Sequence, residues 1–211
     1  MTHSLPDNGI FLHVACGRSR QQQTPFANLT WSEVRLDRDP AAEPDHIGSL
    51  TDLSAVAEAS VDAVYTFRSL ERLYPHEVGL FLAAALRVLK PGGFLLLSCT
   101  DLKAAARLIV GDQYTEPAYQ AAQGPIAAID LVYGNRSLMA AGRPEFAHHC
   151  GFTSKALVAT LQGGGFPQVA ALERPDQFDI WALATKETWP DEQLQAAAQK
   201  LFPAALPPTN F

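Results

Sequence analysis

Residues 11–20, FLHVACGRSR, are the first stretch whose residue types and spacing suggest chemistry. An apolar run passes through His13 into Ala15, Cys16 and Gly17. This is the pattern of a buried strand opening into a turn, and Gly17 lets that turn press its backbone against a ligand. About twenty residues later a second apolar run ends at Asp37 in LDRDP. A carboxylate at that distance can accept hydrogen bonds from both hydroxyls of a ribose. The pair points to a nucleoside-bearing cofactor at the ends of two neighbouring strands. A nicotinamide dinucleotide is the weaker alternative, because it wants a third glycine where Arg18, Ser19 and Arg20 stand.

Other reactive side chains read more plainly. His148, His149 and Cys150 are adjacent, so their side chains diverge, and no further ligand spacing completes a four-coordinate site. No metal is expected. His148 is the one weak candidate for a general base, since imidazole titrates near neutrality; no catalytic residue is otherwise assigned. Cys16 reads as a small packing residue, Asp101 as the cap of a following helix, and Glu71 as a helix-start or salt-bridge residue rather than a base. Ser49 and Asp52 have capping-box spacing.

The elements that position these residues follow from apolar runs bounded by breakers. Segments 10–15, 34–36, 61–67 and 94–99 read as buried parallel strands, with a short edge strand at 46–48. Between them Val78, Phe81, Leu82, Ala85, Leu86 and Leu89 recur at helical spacing over 75–89. The alternation predicts a doubly wound, mostly parallel α/β sheet of Rossmann-like type. A helix at 154–162 and strands at 166–172 and 178–185 follow, joined by the tight link ERPDQ, which implies an antiparallel C-terminal hairpin. A last helix spans 191–202, and the tail PAALPPTNF is expected to cover the surface or fray. Residues 111–150 break the rhythm and are expected to form a partly mobile lid or substrate-side insertion in a single domain of 1–211.

A chain of 211 residues with 47% hydrophobic content suits one α/β domain. The net charge of -6 and scattered basic residues give no footprint for nucleic acid. No apolar run approaches a membrane span, and the N-terminus lacks a signal-peptide pattern, so a cytoplasmic protein with no membrane partner is expected. The three cysteines are far apart and show no disulfide framework. Oligomeric state is not readable.

The stretch VDAVYTFRSLERLYPHEV and the later RVLKPGGFLLLSCT resemble class I S-adenosylmethionine (SAM) dependent methyltransferases, especially a bacterial group with LEHLYPHEV and RVLKPGG motifs. LDRDP, PDHIGSLTDL, YG, HHCGFT, GGGF and FDIWALA fall in the order such proteins show, so the resemblance spans nearly the whole chain. It implies a seven-stranded sheet with SAM as cofactor. His13, Ala15, Cys16 and Gly17 would meet the methionine end, Asp37 the ribose, and Ser49 and Leu50 the adenine. Thr66, Phe67 and Arg68 would line the site floor. Tyr133, Arg136 and His148 would face the substrate. The implied activity is methyl transfer to a small-molecule acceptor.

The sequence departs from that pattern at several of these places. Ala15 stands where the family has its first loop glycine, His13 at a usually acidic or polar position, and Ser49 for a common aspartate. Arg68 and Arg72 replace two histidines and would favour a carboxylate or phosphate on the substrate. These departures motivate a second reading, a catalytically degenerate methyltransferase fold serving as a binding or structural subunit.

Overall fold

The computed structural model describes residues 5–121 and 124–202. The tail expected to cover the surface therefore lies outside the described residues. The strands β1 (Ile10–Val14), β2 (Ser32–Asp37), β3 (His46–Ile47), β4 (Val61–Phe67), β5 (Leu89–Thr100), β8 (Gln168–Arg174) and β9 (Asp179–Thr185) form one sheet in the order β3-β2-β1-β4-β5-β9-β8. The pairs from β3 to β5 are parallel, whereas β9 runs antiparallel to both β5 and β8. This is the expected seven-stranded, doubly wound sheet with its C-terminal hairpin. The order reverses at β1, between β2 and β4, which is where open α/β sheets place their ligands.

Alternation along the strands divides the core into two layers. Leu12 and Val14 of β1 and Val64 of β4 join one layer, with Phe81, Leu82 and Ala85 of helix α1 (Pro75–Val88) and Leu157 and Leu161 of α5 (Ser154–Gly163). Phe11, Tyr65, Phe94 and Trp181 face the other layer with Phe26, Trp31 and helix α6 (Asp191–Leu201). Phe11 and Phe26 stack at 4.1 Å. Each large apolar side chain buried in these layers contributes about 1.5–3 kcal/mol relative to exposure. The apolar stripe seen in the sequence is the buried face of α1, which ends at Val88, ahead of Pro91.

Between helix α2 (Leu102–Val110) and α5, the irregular stretch folds into a separate antiparallel hairpin, β6 (Pro117–Ala121) with β7 (Gly124–Ala127), and two short helices, α3 (Ala128–Tyr133) and α4 (Arg136–Ala140). Ile126 and Leu131 pack with Ala105 of α2 in a small third core. Short periods escaped the reading of the sequence because each element is only four to six residues long. The chain leaves α3 through Gly134 (φ +95°), where a Cβ would meet Phe146 O at 2.0 Å, so only glycine fits. Asp101 caps α2, accepting from Lys103 N at 2.9 Å. Ser49 and Asp52 instead bridge each other through their backbones in a turn, and no helix starts there.

Candidate active site

The carboxyl ends of β1, β2 and β4 open into a cleft of about 820 Å³. Its floor is the turn after β1, where Ala15 and Gly17 both take positive φ, +54° and +51°. A non-glycine residue pays for that conformation with steric strain, and such strain is characteristic of functional turns. Gly17 N donates to Asp37 Oδ2 at 2.8 Å, and Asp39 N donates to Asp37 Oδ1 at 2.9 Å. Asp37 is thereby aimed across the cleft with lone pairs to spare, since a carboxylate has about four acceptor sites. Ser49 and Leu50, from the turn after β3, line the same cleft.

Arg35 holds this floor in shape. Nearly buried at 6% exposure, it donates to four backbone carbonyls: Ser19 O (3.2 Å), Gly17 O (2.6 Å), Ala42 O (3.0 Å) and Glu43 O (2.6 Å). The guanidinium therefore ties the loop after β1 to the turn after β2. Sequence reading missed it, because an arginine inside a strand carries no motif.

His13, at the cleft end of β1, is buried and donates from Nδ1 to Glu33 Oε1 at 2.7 Å. Burial lowers its pKa, outweighing the attraction of Glu33. Nδ1 keeps the proton, so the neutral ring leaves Nε2 as an acceptor. Cys16 is a buried thiol whose pKa burial pushes up to about 12; it stays protonated and packs, as its sequence context predicts.

Beside the cleft lies a smaller inner cavity of about 70 Å³, and Arg72 and Phe146 line both. Its walls come from the turn after β4 (Arg68, Glu71, Arg72), from Thr100 of β5, and from the 111–150 insertion, including Tyr119, Leu138 and His148. Phe146 separates the two spaces, with the guanidinium of Arg72 4.3 Å and that of Arg143 4.5 Å from its ring centroid. At the outer rim Tyr74 stacks on His149 at 4.1 Å.

The expected site residues divide accordingly. His13, Ala15, Cys16, Gly17, Asp37, Ser49, Leu50 and Phe67 all line the cleft. Thr66 lines neither cavity: it is fully buried, since strand alternation turns it away from the face that Tyr65 and Phe67 share. Arg68 (φ +45°) lines the inner cavity instead of the cleft floor. Its two Nη atoms are committed, donating to Tyr119 Oη at 2.7 Å and Gln177 O at 2.9 Å and pairing with buried Asp179 at 3.7 Å. Of the three expected substrate residues only His148 reaches the inner cavity. Tyr133 is 57% exposed, and Arg136 is drawn onto Asp130, with Nε to Oδ1 at 2.7 Å, so both line neither space. Among the described residues no group of histidine, cysteine and carboxylate side chains could hold a metal ion, and no helix is long and apolar enough to cross a membrane.

Comparison with known proteins adds to this geometry. Residues 12–97 match the family described as "Methyltransferase domain". Among solved structures, a SAM-dependent methyltransferase from Methanosarcina mazei superposes with a TM-score of 0.57 at 16% identity, covering 86% of this chain and 94% of that one. The 1,6-didemethyltoxoflavin-N1-methyltransferase of Burkholderia thailandensis, solved with 1,6-didemethyltoxoflavin and S-adenosylhomocysteine, gives 0.54 at 17% identity over 86% and 72%. A structure described as the "Complex between the Haloferax volcanii Trm112 methyltransferase activator and the putative methyltransferase" gives 0.52 at 11% identity over 85% and 83%. No functionally curated protein matches the sequence significantly. At these identities the structural likeness is one of fold.

Proposed function

From the class I methyltransferase fold, with its methyltransferase domain at residues 12–97, we propose that the chain transfers the methyl group of SAM to a small-molecule acceptor. The observation that carries this reading is the pair of adjoining cavities at the switch point of the sheet, a cofactor-sized cleft and a small inner space with Arg72 and Phe146 as common walls. The cleft volume falls within the usual range for ligand sites, about 300–1,000 Å³. Asp37 offers free lone pairs to ribose hydroxyls, and Leu50 gives the adenine an apolar contact. Ala15, Cys16 and Gly17 present backbone to the methionine end, with His13 and Phe67 on the same wall.

Bound SAM supplies an electrophilic methyl on a sulfonium, so the protein's task is mainly alignment. The insertion supplies much of the wall of the inner cavity. His148 lines it, with Nδ1 donating to Leu131 O at 3.2 Å and Nε2 left as a hydrogen-bond acceptor. Burial lowers its pKa, so the ring is kept neutral.

The alternative, a binding subunit that has lost catalysis, draws on Ala15. Yet Ala15 adopts the φ of +54° that a glycine would supply, so the loop keeps its path. Calorimetric titration with SAM and with S-adenosylhomocysteine separates the readings. Saturable binding of both supports transfer; no binding at millimolar ligand retires it.

A further inference from the structure

The inner cavity is ringed by polar atoms that the protein leaves without partners. Glu71 Oε2, Arg68 Nε and Arg72 Nε are buried and make no hydrogen bond, and all three belong to the short turn after β4. Glu71 is the most constrained. It is 1% exposed, and its Oε1 accepts from both Thr100 N (3.0 Å) and Thr100 Oγ1 (2.9 Å). Its backbone carbonyl receives His149 N at 2.8 Å and Cys150 N at 3.2 Å, pinning the far end of the insertion. The carboxylate is thus clamped by one oxygen while the other has no donor. Buried acceptors are nearly always satisfied, so an orphan in a cavity wall calls for a partner from outside the chain or for a chemical role.

Neighbouring groups leave this vacancy in place. Arg68 turns its two Nη atoms to Tyr119, Gln177 and Asp179, and neither its Nε nor that of Arg72 is hydrogen-bonded to Oε2. His148 uses its Nδ1 proton on Leu131 O, and its neutral Nε2 can only accept. Asp130 is paired with Arg136. A ligand bearing a proton would complete Glu71.

We propose that Glu71 Oε2 holds the methyl acceptor and takes its proton, and that the acceptor is a small amine or hydroxyl compound with an N–H or O–H nucleophile. This rests on the methyl-transfer reading. The acceptor's lone pair forms the new bond to the methyl carbon while the carbon–sulfur bond breaks and its electron pair stays on sulfur. The N–H or O–H proton passes to Oε2, leaving a neutral methylated product and a glutamic acid that returns the proton to water. Arg72 Nε, the unmet donor at the boundary with the cleft, suits an oxygen atom on the same small molecule.

Ethanolamine carries N–H donors and a hydroxyl oxygen two carbons apart, and is the probe. It is titrated by ligand-observed NMR into the full chain, free and saturated with S-adenosylhomocysteine. Wild-type protein should bind it saturably. Glu71→Gln, which retains an acceptor for Thr100 and places an NH₂ where Oε2 was, should weaken binding at least tenfold while leaving S-adenosylhomocysteine affinity unchanged. Leu138→Trp, which fills the cavity from α4 with Glu71 in place, should weaken it likewise and decides the matter if the glutamine variant does not fold. Unaltered probe binding in either variant, or none in the wild type, overturns the role of Glu71. Loss of S-adenosylhomocysteine binding in the wild type overturns the transfer reading instead, and with it the proton step.

Discussion

The cleft takes its shape from backbone: a turn after β1, the end of β2 and the turn after β3, held by the Arg35 guanidinium and the Asp37 carboxylate. The inner cavity beside it takes its shape from side chains contributed by β4's following turn, β5 and the insertion, with Phe146 between. Backbone walls tolerate side-chain replacement, as Ala15 illustrates by adopting a glycine conformation. Side-chain walls do not, since each replacement changes volume, charge and the pairing of a neighbour. A cofactor common to many reactions fits the first kind of wall, and an acceptor particular to one fits the second.

The largest effect is expected where the backbone wall depends on a side chain after all. Arg35→Ala should lower unfolding stability by about 3 kcal/mol or more, because several buried carbonyls lose charge-assisted donors at once. It should also abolish measurable SAM binding. Urea unfolding and calorimetry check both, and a variant of wild-type stability would show that the loop holds itself.

Asp37→Ala should weaken SAM binding by roughly 1–3 kcal/mol with folding preserved, as charge-assisted bonds to ribose hydroxyls are lost. Unchanged affinity in a folded variant would move the ribose elsewhere and dissolve the distinction between the two spaces.

Acid should act on both spaces. Burial lowers the pKa of His13 in the cleft and of His148 in the inner cavity. Above the ordinary histidine value of about 6.5, both rings are neutral whether the chain is folded or not. As pH falls below it, the unfolded chain binds protons that the folded rings resist, so the unfolding free energy decreases until the folded pKa values are passed. Melting temperature should therefore fall between pH 7.5 and 5.5, two conditions set for the test at roughly one unit on either side of that value. His148→Asn should flatten the fall in part. An identical slope in that variant would remove His148 from the titration.

The smallest expected change is at Ala15. Ala15→Gly should relieve left-handed strain of about 1 kcal/mol, offset in part by the greater freedom of glycine when unfolded. SAM affinity should hold or tighten modestly. A clear loss of affinity would mean that the alanine methyl itself contacts the cofactor.

The strand segments and their alternation with helices, the helical stripe of α1, the C-terminal hairpin and the cleft loop were readable because each depends on residues near one another in sequence. Periodicity, a breaker or a turn residue at fixed offset carries the signal. Asp37 was found the same way, as the residue ending an apolar run about twenty positions beyond the loop. The insertion was recognised only as an interruption, its elements being too short for periodicity to show.

The sequence by itself thus determined the doubly wound class of the sheet, its C-terminal hairpin and the glycine loop that follows β1. Tertiary structure decided the side-chain wall: that Arg68 pairs with Asp179, that Thr66 faces away, that Tyr133 and Arg136 line neither cavity, and that Glu71 lines the inner one with one oxygen unpaired. The physical reason is distance along the chain. Arg68 meets a partner 111 residues away by its number, and Glu71 meets Thr100 across 29 positions. Such pairings are set by how packed layers bring remote segments together, and no local pattern encodes them.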